Sequence, residues 1–241
     1  MSVDYSYNDV AKMIDHSLLN PALKWADLED GISLALAYDV ATVCIMPYAL
    51  KHCAERLGGS TVRPSTTIGF PHGGHTTKIK LEEARQALAD GGEELDMVVN
   101  ISKVVSGDWQ YVRADIGAVV EETHAVGKKV KVIFENAYLN DDQKIRLCEI
   151  CGDVRADWVK TSTGYASSGS IDTDLILMRK HSPSWVQVKA AGGIRDLDAL
   201  LRVRALGVTR CGATRTASMM NEARLRLGLA RIMVPAAAAA D

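Results

Sequence analysis

The fold is decided by the stretch Val186-Gln187-Val188-Lys189-Ala190-Ala191-Gly192-Gly193-Ile194-Arg195-Asp196, which predicts a strand and the loop that follows it. The apolar run Val186–Ala190 is the predicted strand. The loop leads into Leu197–Leu206, which has helical periodicity and is followed by Gly207, a residue favoured at helix ends. A further short strand, Arg210–Gly212, comes next. This succession of strand, helix and strand is typical of a parallel βα unit.

The same alternation extends over the whole chain. Eight segments are predicted strands: Met13–His16, Ala41–Met46, Thr61–Phe70, Leu95–Val99, Val130–Glu135, Trp158–Ser162, Val186–Ala190 and Arg210–Gly212. The predicted helices are Leu81–Ala89, Trp109–Val126, Asp174–Arg179, Leu197–Leu206 and Asn221–Ile232. Eight such units in 241 residues predict an α/β fold, a single (β/α)₈ TIM barrel over residues 1–234, with a flexible alanine-rich tail at 235–241. A doubly wound open sheet is the alternative, but the glycine fingerprint after its first strand is missing.

Composition excludes several classes of protein. Lys and Arg number 28 against 30 Asp and Glu, and aromatic residues are 5%, which argues against a nucleic-acid partner. No run of 18 apolar residues and no signal peptide is found, so no membrane association is expected. Five cysteines, an odd number without a secretory context, favour the reducing cytoplasm.

Three strands carry a charged residue where a buried parallel strand is normally apolar. These residues are Asp96, Lys160 and Lys189. Each lysine could simply pair with a nearby acid such as Asp96. A barrel, however, brings the carboxyl ends of its strands to one face, where the active sites of barrel enzymes lie. Two lysines and one aspartate at that face therefore favour a catalytic site.

The chemistry that this trio offers is imine formation. A lysine attacks a carbonyl only as the free amine, and both desolvation and a neighbouring ammonium lower its pKa. The protonated imine then accepts electrons from a breaking carbon–carbon bond, and an aspartate can move the protons. This chemistry requires no cofactor and no metal.

Two loops have features of a phosphate site. Gly192 and Gly193, with Arg195, precede one helix, and Gly212, Thr214 and Arg215 precede another. Backbone N–H groups at glycines and helix N-termini bind anions, and the loops after strands 7 and 8 are the usual phosphate site of barrel enzymes. Gly164, close after Lys160, is a third candidate.

The sequence resembles the 2-deoxyribose-5-phosphate aldolase family, which are class I, Schiff-base aldolases on a (β/α)₈ barrel. The segments that carry the resemblance are Ile14–Leu19, Ile68–Gly73, Val159–Gly164, Val188–Arg195 and Gly212–Thr214. The resemblance implies that Lys160 forms the imine, that Lys189 lowers the pKa of Lys160, and that Asp96 is the acid/base residue. It further implies that Asp15 and Thr163 support the proton relay, and that Cys44 lies near the site as a packing residue.

The reaction implied by the resemblance is reversible cleavage of 2-deoxy-D-ribose 5-phosphate to D-glyceraldehyde 3-phosphate and acetaldehyde, a step of deoxyribonucleotide catabolism. A homo-oligomer, dimer or higher, is also implied. Four positions depart from the family pattern: Met46, Asn136, Thr214 and Arg215. They leave open a related imine-forming aldolase that acts on another, or a non-phosphorylated, sugar or aldehyde.

Other interpretations explain less of the sequence. A metal-dependent barrel lyase would use His72 and His75, with His16 or His124, but it leaves the two strand lysines unexplained. Cys148 and Cys151 form a C-x-x-C in a predicted helix and are interpreted as buried packing residues. The charge run Lys128–Lys131 is interpreted as a solvated strand edge. A barrel that only binds a phosphorylated ligand would have no need of two buried lysines.

Overall fold

Eight parallel strands close into a barrel in the computed structural model, which describes residues 4–234. The strands are β1 (Ile14–Leu18), β2 (Thr42–Ile45), β3 (Arg63–Ile68), β4 (Glu94–Val98), β5 (Lys129–Ile133), β6 (Trp158–Lys160), β7 (Gln187–Ala191) and β8 (Arg210–Ala213). Each strand pairs with the next along the chain, and β8 pairs with β1. The (β/α)₈ barrel and all eight predicted strands are confirmed. The alanine-rich tail predicted at 235–241 lies outside the described residues.

Ten α-helices occur within residues 4–234: α1 (Tyr7–Ala11), α2 (Trp25–Tyr38), α3 (Leu50–Leu57), α4 (Thr77–Ala89), α5 (Ile101–Val105), α6 (Trp109–His124), α7 (Asp141–Asp153), α8 (Asp172–His181), α9 (Leu197–Ala205) and α10 (Thr216–Arg226). Short 3₁₀ turns cover Pro47–Ala49 and Asn136–Tyr138. The five predicted helices correspond to α4, α6, α8, α9 and α10. Helix α2 was not predicted, although its buried Leu28, Ile32 and Ala35 have helical spacing.

The last helix differs from its prediction over Asn221–Ile232. Helix α10 begins five residues earlier and ends at Arg226, and the chain turns back at Gly228, whose φ is 73°. The Asn221 amide then bonds to Ile232 in both directions, donating to its carbonyl at 3.1 Å and accepting from its N–H at 2.8 Å. The apolar residues that suggested a longer helix therefore belong to a segment folded back on α10.

The two faces of each strand have different surroundings. Alternate residues such as Leu95 and Met97 of β4, or Val130 and Val132 of β5, join the hydrophobic core between barrel and helices. The intervening residues include charged side chains that meet inside the barrel. A parallel barrel strand is buried on both faces, so a charge on the inner face needs a partner there.

Within the described range 4–234, no helix has both the length and the hydropathy required to cross a bilayer. Cys148 and Cys151 are buried in α7 as predicted, and both are free thiols.

Candidate active site

Lys160, Lys189 and Asp96 meet inside the barrel. Lys160 and Lys189 are register partners on β6 and β7. Both ammonium nitrogens lie 2.8 Å from the same oxygen, Oδ2 of Asp96 on β4. Asp96 is 64 residues from Lys160 and 93 residues from Lys189 in sequence, so barrel closure alone brings the three together. All three side chains are buried.

The two lysines differ in protonation, although they share one carboxylate. Burial lowers the pKa of Lys160, and Lys189 lowers it further, so that the pKa lies below its ordinary value despite Asp96. Burial also acts against the charged form of Lys189, but Asp15 and Asp96 outweigh burial and raise the pKa of Lys189. Asp15 Oδ2 lies 2.5 Å from the Lys189 nitrogen. Lys160 is therefore the amine that is more readily freed, and Lys189 stays an ammonium.

A second set of charges lies deeper in the barrel. Lys131 of β5 is fully buried, and its nitrogen lies 2.8 Å from Asp96 Oδ1 and 2.7 Å from Glu94 Oε2. Arg210 of β8 bonds to Asp15 Oδ1 at 2.7 Å and to both carboxylate oxygens of Glu94 at 3.1 Å. The interpretation of Lys128–Lys131 as a solvated edge is thus wrong for Lys131, whose side chain points into the barrel.

These seven side chains form one network, which we call the barrel network: Asp15, Glu94, Asp96, Lys131, Lys160, Lys189 and Arg210. It holds four basic and three acidic groups, so it is electrically neutral when one basic group gives up its proton. Uncompensated charge is unfavourable in a buried site. Three cations hold the pKa of Asp96 well below its usual range, although burial opposes them. Since the pKa of Lys160 is lowered and that of Lys189 raised, Lys160 is the group that becomes neutral.

A cavity of about 550 Å³ opens above the network at the carboxyl ends of the strands. Eleven of the predicted site residues line it: Asp15, Cys44, Lys160, Thr163, Gly164, Lys189, Gly192, Gly193, Arg195, Gly212 and Thr214. Asp96 lies beneath its floor, bonded to Lys160 and Lys189. Arg215 is exposed and does not line the cavity, so the structure does not bring it together with the other predicted phosphate residues.

The loop after β7 has the form of an anion site. Gly192 and Gly193 have φ of 79° and 89°, a region that favours glycine. Gly192 also packs against Gly169, where a Cβ on either residue would meet backbone within 3 Å. The Ser170 N–H and hydroxyl both donate to the Gly192 carbonyl, at 3.1 and 2.9 Å. These contacts fix the loop and leave its glycines beside the cavity.

The similarity to known proteins covers nearly the whole chain. Residues 9–214 match the model of the family described as DeoC/LacD family aldolase. A deoxyribose-phosphate aldolase of Rhodopirellula baltica is 64% identical over 233 residues, which are 97% of this chain and 97% of the relative. The chain belongs to the DeoC/LacD aldolase family.

Solved structures similar to this DeoC/LacD family aldolase agree in fold. One is a putative deoxyribose-phosphate aldolase from Coccidioides immitis, with a TM-score of 0.87 and 32% identity, covering 91% of this chain and 87% of that chain. Another is the tetrameric deoxyribose phosphate aldolase from Aeropyrum pernix, with a TM-score of 0.82 and 27% identity, covering 91% and 92%. The protein is therefore a lyase of the aldolase type on a (β/α)₈ barrel.

Sequence reasoning missed Glu135, which follows β5 in this aldolase. Glu135 is buried, with a φ of 58°, and its carboxylate accepts from the Thr163 N–H at 3.2 Å and from the Thr163 hydroxyl. The backbone N–H groups of Phe134 and Asn136 donate to the carbonyls of Lys160 and Thr161, both at 2.9 Å. The segment after β5 thus fixes the segment that carries Lys160 and Thr163. A charged residue at the end of an apolar strand was the signal available for Glu135.

The four departures from the family pattern lie in different places. Thr214 lines the cavity of this aldolase. Met46 lines a smaller neighbouring cavity of about 220 Å³, beside Phe70 and Tyr165. Asn136 is buried, and its amide donates to Asp174 Oδ2 at 3.0 Å. Of the four departures, only Thr214 therefore lines this cavity, and Asn136 packs against α8.

The histidines of the metal interpretation are spread over the molecule. His72 and His75 are exposed, and His75 lies 3.6 Å from Glu83. His16 is buried beside the Thr216 hydroxyl at 2.8 Å, and burial lowers its pKa to about 4. His124 lies 2.8 Å from Asp157. Across residues 4–234, no three His, Cys, Asp or Glu side chains are grouped so that they could hold a metal ion.

Proposed function

We propose that this aldolase catalyses the reversible cleavage of 2-deoxy-D-ribose 5-phosphate to D-glyceraldehyde 3-phosphate and acetaldehyde, through an imine on Lys160. The observation that carries the proposal is the position of the Lys160 amine and its lowered pKa. This amine lines the cavity, lies 2.8 Å from Asp96, and has a lowered pKa beside an ammonium whose pKa is raised. The curated relative from Rhodopirellula baltica bears the name of this activity.

The first step joins enzyme and substrate. The lone pair of the Lys160 amine attacks the C1 aldehyde of the open-chain sugar, and the resulting carbinolamine loses water to give a protonated imine. The hydroxyl that leaves needs a proton. The Lys189 ammonium, next to Lys160 in register, is placed to donate it, and the Asp96 carboxylate accepts protons directly or through water.

The second step breaks the bond between C2 and C3. The C3 hydroxyl loses its proton, the C3 oxygen becomes the carbonyl of D-glyceraldehyde 3-phosphate, and the electron pair of the bond moves into the imine to form an enamine. Protonation of C2 and addition of water then release acetaldehyde and the free Lys160 amine. Asp96 serves in proton transfer. Asp15 and Thr163 support the proton relay, and both line the cavity.

The phosphate binds where the loops after β6, β7 and β8 border the cavity. Gly164, Gly192, Gly193 and Thr214 supply backbone or hydroxyl donors there, and Arg195 supplies a positive charge. Gly212 leaves room beside Lys189, whose Cε lies 3.9 Å from the position of a Cβ on that glycine.

Borohydride trapping tests the imine. Incubation with acetaldehyde and borohydride should convert Lys160 to N-ethyl-lysine, located by mass spectrometry of peptides. The matched control is Lys160→Met, which should give no adduct. An adduct on Lys189 or Lys131 instead would overturn the assignment of Lys160.

A second comparison tests the substrate. Cleavage of 2-deoxyribose 5-phosphate should exceed that of free 2-deoxyribose by about 100-fold in kcat/KM, because two charge-assisted hydrogen bonds contribute about 1.5 kcal/mol each and a tenfold change corresponds to about 1.4 kcal/mol. Equal values for the two sugars would favour an aldolase for non-phosphorylated substrates.

We also propose that the protein is a cytoplasmic homo-oligomer, dimer or higher, whose residues 1–234 form one domain. The tetrameric relative from Aeropyrum pernix supports an assembly, and free, buried thiols suit a reducing compartment. Light scattering coupled to size-exclusion chromatography checks the assembly, and a monomer at micromolar concentration would contradict it.

A further inference from the structure

We propose that Lys131 is a positioning residue for imine formation, whose ammonium provides the third positive charge that balances the barrel network and so leaves Lys160 a free amine. The inference rests on the proposed imine at Lys160. It assigns to Lys131 a function in the reaction although Lys131 does not line the cavity.

The contacts of Lys131 are those of a charge shared among carboxylates. Its nitrogen lies 2.7 Å from Glu94, 2.8 Å from Asp96 and 3.6 Å from Asp15, and its side chain is fully buried. The Lys131 nitrogen lies 5.6 Å and the Arg210 guanidinium carbon 5.0 Å from the centre of the Trp158 ring, so both cations contact the same aromatic side chain. These contacts fix the Lys131 ammonium beside Glu94 and Asp96, outside the cavity.

Asp96 is the link between Lys131 and Lys160. One of its oxygens, Oδ1, accepts from Lys131, and the other, Oδ2, accepts from Lys160 and Lys189. Because Lys131 occupies Oδ1, Asp96 presents one oxygen rather than two to the reactive amine. The contact also reduces the negative potential that would keep Lys160 protonated.

Lys160 shares the barrel interior with charged and titratable groups from six other strands, of which Asp96, Lys189 and Cys44 act on its pKa directly. They are Asp15 on β1, Cys44 on β2, Glu94 and Asp96 on β4, Lys131 on β5, Lys189 on β7 and Arg210 on β8. Burial raises the pKa of the Cys44 thiol, which keeps it neutral. Three carboxylates therefore face three permanent cations, and Lys160 is left as the variable group.

Removing Lys131 changes this balance by one charge. With methionine in its place, three carboxylates would face Lys189 and Arg210 alone, and the network would be neutral only with Lys160 protonated. Replacing Glu94 by glutamine in the same protein restores neutrality with Lys160 as the free amine, since Glu94 is the carboxylate bonded to both Lys131 and Arg210.

The test is the pH dependence of borohydride trapping by acetaldehyde in the full-length protein. In Lys131→Met the midpoint of the trapping rate should move to higher pH by about one to three units, the size of shift that a neighbouring charge produces. The Glu94→Gln/Lys131→Met double variant should return the midpoint to within about half a unit of the native value, by the same charge balance. Lys131→Arg should leave it in place, because arginine keeps the charge.

Lys80→Met is the matched control, because it removes another fully buried lysine outside the network. A loss of trapping in Lys131→Met that is equal at every pH, or that the double variant does not reverse, would overturn the inference and leave Lys131 a structural residue. If Lys131→Met does not fold, the test uses the double variant and the Glu94→Gln single variant. The trapping midpoint of the double variant should match that of the native protein, and the midpoint of Glu94→Gln should lie at the native pH or below it. A native protein that forms no adduct on Lys160 at any pH would instead reject the proposed function itself.

Discussion

Two groups of buried charges in this barrel differ in charge balance. Between α4, α6 and the end of β4, the Lys80 nitrogen lies 2.5 Å from Asp115 Oδ2 and donates to the Val98 carbonyl at 2.8 Å. Thr77 donates to the other Asp115 oxygen at 2.8 Å. One cation there meets one anion. In the barrel network four basic groups meet three acidic groups.

The difference in charge balance shows which buried lysine becomes reactive. In the Lys80–Asp115 pair each charge has its counterpart. Neutralising either partner would therefore leave the other as an unpaired buried charge. In the barrel network one ammonium is in excess, and the excess falls on Lys160, which alone among its lysines has a lowered pKa and also lines the cavity. The same residue type is thus a structural partner in one cluster and, in the proposed reaction, the nucleophile in the other.

The largest expected effect is a difference in kcat between variants of Lys160 and of Lys80. Lys160→Met should lower kcat by about 10⁴-fold or more, because removal of a nucleophile leaves only residual binding effects. Lys80→Met should keep kcat within a few-fold, since Lys80 lies outside the cavity. Steady-state kinetics at saturating substrate measure both variants. Comparable losses of kcat in the two variants would contradict the different functions assigned to Lys80 and Lys160.

The next largest expected effect is a difference in the free energy of unfolding between the same two variants. Lys80→Met leaves Asp115 buried without its partner and should lower the free energy of unfolding by about 3–5 kcal/mol. Lys160→Met leaves the three carboxylates of the network facing three cations, so its loss should be much smaller. Urea unfolding gives both values. Asp115→Asn added to Lys80→Met should recover part of the loss, and a similar loss in Lys160→Met would argue against the charge count.

A third change should move the pH dependence of the reaction. Lys160 reacts as the free amine, so activity rises as pH increases through its pKa, which lies below the ordinary value. Lys189→Leu removes a cation that lowers this pKa, and the rise should move to higher pH by about two units, with kcat/KM near neutral pH falling about 100-fold. The measurement is kcat/KM against pH, with Lys80→Met as control. An unmoved profile would remove Lys189 from this role.

The smallest effect concerns a buried acid outside both clusters. Glu135→Gln weakens charge-assisted hydrogen bonds from Thr163 by about 1.5 kcal/mol, which corresponds to about a tenfold loss in kcat/KM. Thr163→Val should give a similar loss, and the double variant should lose little more than either one, because the two residues share one interaction. Fully additive losses would show that Glu135 and Thr163 act separately.

The fold and the meeting of the three candidate catalytic residues could be predicted because their signals are local. Apolar runs alternating with helical periods predict parallel strands, and a lysine within such a run is anomalous wherever the strand lies. Asp96, Lys160 and Lys189 stand out in this way, and the positions of barrel active sites place them together. The family segments from Val159 and from Val188 supported the same conclusion.

Glu94, Arg210 and Lys131 could not be placed in the same way, because the first two begin their strands and the third belongs to a run of charges that enters β5. Lys131 follows two other lysines, and Glu94 and Arg210 open their strands, so each has the pattern of a solvated edge. Both faces of a barrel strand are buried, and periodicity cannot show which of them faces the interior. The fold-back after α10 was missed for a related reason: it depends on a contact between Asn221 and Ile232, eleven residues apart, that no local pattern contains.

The sequence by itself determined the barrel, its family and the candidate residues of the proposed reaction, because burial patterns and motif spacing can be recognised along the chain. Only the tertiary structure decided which charges share an interior. Closure of β1 to β8 brings Asp15, Glu94 and Asp96 within reach of Lys131, Lys189 and Arg210. The protonation of Lys160 depends on the sum of those charges at short range in a poorly solvated space, and distances across the barrel fix that sum.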